Sequence, residues 1–355
     1  YLLPSIALAQ TTVTFTNAAA TGRTGPTQAQ VNTAYDGTTL DDAVTINTQG
    51  IQEWTVPANG TYTIEVWGAQ GGSHSGTFSG GKGARMKGDF QLEANQVLKI
   101  LVGQQGIGGN NSQSSHFSGG GGGGTFVVTS SNALLIAAGG GGGGYKYSNY
   151  INDGGDGTTA TSGTAGQGGN SGGSSGNGGS SGNGGSSAGF SGNGSYSAAS
   201  FLNGGTGGLM QTNWGDYSLH GGFGGGGGAG LPSGGGGGYS GGGGGTWNTS
   251  GAGGGGGSYN SSSTNATSSA GVREGHGQVA ITYCTGFCLE SASVVANNNY
   301  VDITFTAGAY NTNGGSGALE ASDFSLTFSR NGGPATAAAI SSIKKNDNTA
   351  AGSAS

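Results

Sequence analysis

Six runs of five or six glycines, at 119–124, 139–144, 224–228, 234–238, 241–245 and 253–257, constrain this chain more than any other feature. Glycine gives up more backbone freedom on folding than any other residue, and ordering a residue costs on the order of 1–2 kcal/mol. A glycine-rich segment therefore stays a loose tether unless something specific offsets that cost. A tether has no reason to keep its runs to one length, whereas side-by-side packing requires it. At about 3.1 Å per residue in a three-fold extended helix, each run would span roughly 16–19 Å. The breaks between runs are short, such as Leu231-Pro232-Ser233 and Tyr239-Ser240, and suit turns that send the chain back. In GNGGSSGNGGSS, residues 176–187, glycine continues a spacing of three through 173, 176, 179, 182 and 185. A helix with three residues per turn would then have one edge free of side chains. Collagen is excluded, because the triplet does not continue and only five prolines are present. Extended helices have no internal hydrogen bonds, but neighbours in a bundle can satisfy one another laterally. The expectation is a bundle of polyglycine II helices; the opposing reading is a disordered loop over 145–270.

The apolar residues that could anchor such a bundle are clustered. In EWTVPANGTYTIEVWGAQGG, Tyr62, Ile64 and Val66 alternate with Thr61, Thr63, Glu65 and Trp67, the period of a strand, after a turn at Ala58-Asn59-Gly60. GARMKGDFQLEANQVLKILVGQQG reads as two strands around Glu93-Ala94-Asn95. TFVVT at 125–129 and ALLIAA at 133–138 flank Ser130-Ser131-Asn132, and GHGQVAITY at 275–283 closes the set. Pairing of that last strand with the early ones makes the glycine region, 145–270, an insertion in one β-sandwich domain over 51–285. Residues 10–50 read as an extended, β-rich lead-in.

The ends carry other signals. YLLPSIALAQ reads as the end of a secretory signal peptide, with Ala7-Leu8-Ala9 as an A-x-A cleavage site before Gln10 and 1–9 as the remnant. From 286 to 355, evenly spaced short strands, with a turn at Asn297-Asn298-Asn299, suggest an Ig-like surface repeat that is incomplete. Cys284 and Cys288 stand at the junction. They read as a local disulfide staple in an oxidising compartment, the alternative being two free thiols.

IQEWTVPANGTYTIEVWGAQGG, GGKGARMKGDFQLEANQVLKILVGQQG, GGGGGGTFVV and LLIAAGGGGGG, in that order and spacing, resemble the glycine-rich extracellular domain of the anaplastic lymphoma kinase and leukocyte tyrosine kinase receptors. LVGQQG and IAAGGGGG are the specific parts, and the resemblance covers roughly 51–283. It implies a β-sandwich carrying polyglycine helices and a cytokine-binding surface. Bacterial surface proteins and phage tail-tip adhesins use similar glycine-rich architecture, and the C-terminal module resembles repeats of bacterial surface proteins. The fold expected is therefore all-β: a jelly-roll or TNF-like β-sandwich with an inserted bundle of polyglycine II helices, then an incomplete Ig-like β-sandwich. Kinase activity is not implied, since these residues hold no H-R-D, no D-F-G and no nucleotide loop with its lysine.

Other chemistry finds little footing. Ten Lys and Arg against sixteen Asp and Glu give a net charge of −6, with no basic patch beyond Lys344-Lys345, which argues against nucleic acid. No apolar run is long enough to span a membrane. GTFSGGKG, 76–83, approaches a phosphate loop but ends in Gly83 where a hydroxyl is required. Asp153 and Asp156 are weak calcium candidates, and a plain Asp turn is the plainer reading. His74, His116, His220 and His276 form neither a zinc pair nor a triad, and no cofactor is implied. The aromatics at run ends and breaks remain: Tyr145, Tyr147, Tyr150, Trp214, Tyr217, Phe223, Tyr239, Trp247 and Tyr259. If the breaks are turns, these rings gather at the bundle tips, either as a contact surface for a glycan or protein or as caps packed on one another. The functional expectation is a non-enzymatic secreted or cell-surface protein in adhesion or ligand recognition, its partner an unidentified protein or glycan at a cell surface. The rivals are a structural matrix or filament component, an ice-binding surface, and the ectodomain of a signalling receptor.

Overall fold

A computed structural model of the chain describes residues 10–110, 116–210, 219–247, 251–284, 289–294, 301–305, 320–323, 340 and 342–343. The chain forms two compact units, Thr12–Thr282 and Tyr1–Thr11 with Tyr283–Ser355. In order, its elements are β1 (Gln10–Phe15), α1 (Gln28–Tyr35), β2 (Val44–Thr48), β3 (Ile51–Thr55), β4 (Gly60–Trp67), β5 (Gly83–Leu92), β6 (Val97–Leu101), β7 (Gly108–Asn110), β8 (His116–Gly119), β9 (Thr125–Thr129), β10 (Leu134–Ala138), β11 (Tyr145–Tyr147), β12 (Tyr150–Asn152), β13 (Tyr259–Asn260), β14 (Thr267–Arg273), β15 (Gln278–Cys284), β16 (Leu289–Val294) and β17 (Val301–Phe305). The larger unit is all-β in character, built on three antiparallel sheets: β1-β15-β4-β5-β14, β13-β10-β9-β6-β3-β2 and β12-β11-β8-β7. In the other unit β16 and β17 pair as an antiparallel hairpin, Val294 opposite Val301. Most of the expected Ig-like module, Asn297-Asn298-Asn299 included, lies outside the described residues.

The alternation in β4 does what its period demands. Tyr62, Ile64 and Val66 are buried, as are Val279 and Ile281 opposite them on β15 and Met86 and Phe90 on β5. Trp54, Leu98, Ile100, Val128 and Ile136 line the second sheet. Edge-on ring contacts Phe15–Tyr35, Phe15–Trp54 and Trp54–Tyr62, at 6.1–6.3 Å, tie β1, α1, β3 and β4 together. Each such buried side chain contributes about 1.5–3 kcal/mol. Gln52, fully buried among them, accepts from the Tyr35 hydroxyl (2.6 Å) and donates to the Thr16 carbonyl (2.8 Å), so its polar burial is compensated.

The lead-in over 10–50 is not extended throughout. β1 and β2 join the two large sheets, and 28–35 is helical. Thr27 caps α1 through the Gln30 N–H while the Gln30 side chain returns to the Thr27 N–H, a complete capping box.

The glycine runs continue the strands. The chain passes from β8 through 119–124 into β9, and from β10 through 139–144 into β11, so these two runs connect the six-stranded sheet with the four-stranded one. Both runs are buried, as are 234–238, 241–245 and 253–257. Their amides donate sideways with a period of three. Gly140 and Gly143 donate to Gly237 and Gly234, Gly141 and Gly144 to Ala69 and Gly72, and Gly142 to Gly155, at 2.7–3.1 Å. Gly120 and Gly123 reach Ile107 and Gln104, Gly121 and Gly124 reach Gly227 and Gly224, and Gly122 reaches Gly141. In 241–245, Gly241 and Gly244 donate to Asn177 and Ser180, and Gly242 and Gly245 to Gly236 and Ser233. Each run is thus bonded to several neighbours at once, and every third residue faces the same one.

Space, not torsion angle, requires the glycines. Of these six runs only 224–228 contains positive φ, at Gly224 (+101°) and Gly225 (+78°). Elsewhere a Cβ would overlap a neighbouring backbone: on Gly121 the carbonyl of Gly235, on Gly143 that of Gly119, on Gly236 that of Gly140.

Two expectations need correction. The run 224–228 is not an extended helix over its whole length, because the chain turns at Phe223–Gly225 and Gly226 N–H bonds back to Gly222. Reversal at Tyr239-Ser240 is as expected, since Gly242 and Gly245 pair back with Gly236 and Ser233. Nor is 173–185 one triplet helix. It turns at Ser175 (φ +54°) and Gly176 (φ +84°), and Gly182 is exposed where a glycine edge should be buried.

Candidate functional site

The four-stranded sheet β12-β11-β8-β7 stands where the runs 119–124 and 139–144 meet β8 and β11, at the opposite ends of those runs from β9 and β10. Register fixes its two faces. Tyr145 lies opposite Ser118 and Asn152, Lys146 opposite Phe117 and Ile151, and Tyr147 opposite His116 and Tyr150. Residues directly opposite share a face, so Phe117, Lys146 and Ile151 form one row on one face. Tyr145, Ser118, Asn152, Tyr147, His116 and Tyr150 belong to the other.

The first face is aromatic and cationic. The His74 ring lies 4.6 Å from Phe117 and 6.2 Å from Phe78, and Lys146 Nζ stands 5.5 Å from the Phe117 ring centre, a cation–π distance. Ile151 beside them is 54% exposed. On the second face the rings of Tyr147 and His116 are 4.0 Å apart, and Tyr150, on the edge strand, is 52% exposed. Beneath them Tyr145 is fully buried. Burial, with the neighbouring Tyr147, pushes its hydroxyl up to about 12. Burial likewise lowers His116, so its ring is neutral near neutral pH. The Tyr145 hydroxyl and His116 Nδ1 have no hydrogen-bond partner among the described residues. The sheet is clamped to the neighbouring glycine-rich segments by Ser118 Oγ on the Gly230 carbonyl (3.1 Å) and Ser233 Oγ on the Gly144 carbonyl (2.5 Å).

The aromatic residues singled out from the sequence separate into two groups. Tyr145, Tyr147 and Tyr150 belong to this sheet. Trp247, 42% exposed, follows the run 241–245 at the same end, since Gly245 bonds Ser233, which bonds Gly144. Phe223, Tyr239 and Tyr259 do not gather with them. Phe223 is buried in a cluster with Ile51, Leu101, Phe126, Val128 and Phe201, against which Tyr239 and Tyr259 pack, their rings 4.9 Å apart. Phe223 is core, and Tyr239 and Tyr259, half-buried, cover the cluster from outside, where the glycines leave no side chains. Trp214 and Tyr217 lie outside the described residues.

Asp153 and Asp156 serve the backbone: Asp153 Oδ1 accepts from Ser79 N–H and Asp156 Oδ1 from Lys82 N–H, both at 2.7 Å. Among the described residues no group of three or more His, Cys, Asp or Glu could hold a metal. Cys284 is disulfide-bonded, and Cys288 lies outside the described residues. His220 and His276 each accept a backbone N–H at Nδ1, from Met210 and Gln105. His74, His116, Phe117, Lys146 and Ile151 were not expected in a contact surface. The signal that could have found them is position: HFS and YKY directly flank the two six-residue glycine runs.

Comparison with known proteins gives a partial match. Over 97 residues, 26% of the chain, it is 38% identical to the mouse leukocyte tyrosine kinase receptor, and the match covers 11% of that protein's length. No protein-family model matches the chain. No helix among the described residues is long and apolar enough to cross a membrane.

Proposed function

We propose that this chain is the recognition part of a secreted or cell-surface protein, a rigid glycine-rich body that holds out the β12-β11-β8-β7 sheet as a contact surface for a protein or glycan. The observation that carries the reading is the join between the two parts. Buried runs, whose cross-bonds return to the same neighbour every third residue, lead directly into a small sheet bearing Tyr147, Tyr150, Ile151 and Lys146. The three-residue period of the lateral bonds supports polyglycine II packing. The facing first and second sheets support a β-sandwich of the jelly-roll kind as its base. A floppy tether would leave the rings without fixed spacing; a braced one gives the preorganisation that recognition rewards. Exposed aromatic and aliphatic side chains around one cation suit a partner with apolar faces, and hot spots favour such residues. The test replaces Tyr150 and Ile151 with Ala together and screens the full chain against glycans and cell-surface proteins. Binding lost at unchanged stability is the expected result. Binding retained with both side chains removed ends the proposal for this sheet.

The partial similarity to a leukocyte tyrosine kinase receptor supports a second reading, that the chain is the ligand-binding ectodomain of a receptor whose signalling part lies elsewhere. A membrane span and kinase in the same gene would decide for it. Further surface repeats would decide for an adhesin.

A further inference from the structure

We propose that Asn177 is a site of spontaneous modification, an Asn-Gly junction that the fold leaves open to conversion into aspartate and isoaspartate while closing its identical neighbour. The chain holds seven Asn-Gly pairs, at Asn59, Asn177, Asn183, Asn193, Asn203, Asn313 and Asn331. The reaction begins at the glycine nitrogen. It loses its proton and attacks Cγ of the asparagine, a succinimide ring closes, the Cγ–Nδ2 bond breaks, and ammonia leaves carrying the proton. Water then adds to either ring carbonyl. One opening gives aspartate; the other gives isoaspartate, in which the main chain runs through Cβ and Cγ. Glycine in second position favours the step because no Cβ hinders its nitrogen. An amide already committed to a hydrogen bond is withheld from it.

The fold withholds three of these amides. Gly184 N–H donates to Gly245 (3.1 Å), Gly194 N–H to Ala198 (3.0 Å) and Gly204 N–H to Phe201 (3.0 Å). The carboxamide oxygen of Asn193 is held by Ser200 N–H and Asn203 Nδ2, each at 2.9 Å, and that of Asn59 by Ala94 N–H at 2.7 Å. Asn313 and Asn331 lie outside the described residues. At Asn177 the arrangement is reversed. The side chain is exposed, its Nδ2 donates to the Ser174 carbonyl (3.1 Å), and Gly178 N–H has no acceptor among the described residues. Sequence cannot account for the difference, because 175–181 and 181–187 are the same heptapeptide, SGNGGSS. The repeat is an internal control built into the chain. The product carries consequences too. It puts a carboxylate into a stretch, 158–214, that has no charged residue, and isoaspartate lengthens the main chain beside the Asn177 carbonyl that accepts from Gly241 (2.9 Å), the first amide of a buried run.

Incubation of the full chain at mildly alkaline pH, followed by peptide mapping for aspartate and isoaspartate, tests the assignment. In the folded chain Asn177 converts at least about fivefold faster than Asn183, the factor that one protecting hydrogen bond supplies. In urea the two junctions convert at the same rate. Equal rates in the folded chain overturn the proposal. A difference that survives unfolding overturns it as well, since the cause would then not be the fold.

Discussion

At the scale of single residues, the glycines divide by what stands opposite them. Gly236 is buried, and a Cβ there would enter the Gly140 carbonyl, which is itself bonded to Gly256 N–H. Backbone on both sides is pinned, so nothing yields cheaply. Gly182 is exposed, and the nearest atoms to its Cβ belong to the Asn170 carboxamide, a side-chain end held by the Gly244 carbonyl and Thr246 Oγ1 through its Nδ2 rather than by main chain on both sides. Gly236→Ala therefore destabilises by about 3 kcal/mol or more, the upper range of overpacking, and Gly182→Ala by about 1 kcal/mol or less. Chemical denaturation of the two variants measures this directly. Equal, small effects would mean that the runs tolerate side chains and do not pack as described.

At the scale of elements, the sequence was legible where period and turn chemistry agreed. Residues 125–129 and 134–138 are strands within the ranges expected, the last strand is 278–284 where 275–283 is expected, and 61–67 is extended by one residue to Gly60. α1 was missed because its apolar face is slight, with only Val31 and Tyr35 buried, although Thr27 and Gln30 carry the capping signature. β7, β8, β11 and β12 are three or four residues long, too short for a period to register. The candidate surface was therefore half legible. Tyr145, Tyr147 and Tyr150 were visible beside a run, but their strand partners His116 and Phe117 were not. Nothing local reveals that Phe223 is core, since that follows from a turn between distant segments. The lateral bonding has its own signature in hydrogen exchange. An edge strand such as β14 bonds alternate amides and leaves the others to water. In 140–144 and 241–245 every amide donates, in rotation, to a different neighbour. Protection should run unbroken through those residues and alternate in β14. Exchange at free-peptide rates over 241–245 would rule out the bundle.

At the scale of the whole molecule, sheets and glycine runs share one set of supports, so they should fail together. Gly139–Gly144 is continuous with β10 and β11, and its carbonyls accept from Ala84 N–H at the start of β5 and from Gly81 N–H just before it. Loss of either part strips the other of buried hydrogen bonds. Three histidines placed in different parts of the larger unit make this testable by pH. Burial lowers His116, His220 and His276 from 6.5; for His220 the neighbouring Arg23, and for His276 Arg273, lower it further. The sign follows from linkage. The unfolded chain takes up protons as pH falls through about 6.5, while the folded chain resists, so stability is full above that value and declines below it. The decline continues until the folded pKa values are passed. Denaturation midpoints measured downward from neutral pH should therefore fall steadily. Trp54 fluorescence in a chain with Trp67, Trp214 and Trp247 replaced by Phe, which reports the large sheets, and amide exchange of 234–237 in the same chain, which reports the glycine runs, should give the same midpoint at each pH. Separation of the two curves, with the runs melting first, would mean that the sheets are a self-sufficient base on which the glycine bundle is only mounted. Coincidence would make the bundle part of the core, and a contact surface at its end would then be as rigid as the sheets that hold it.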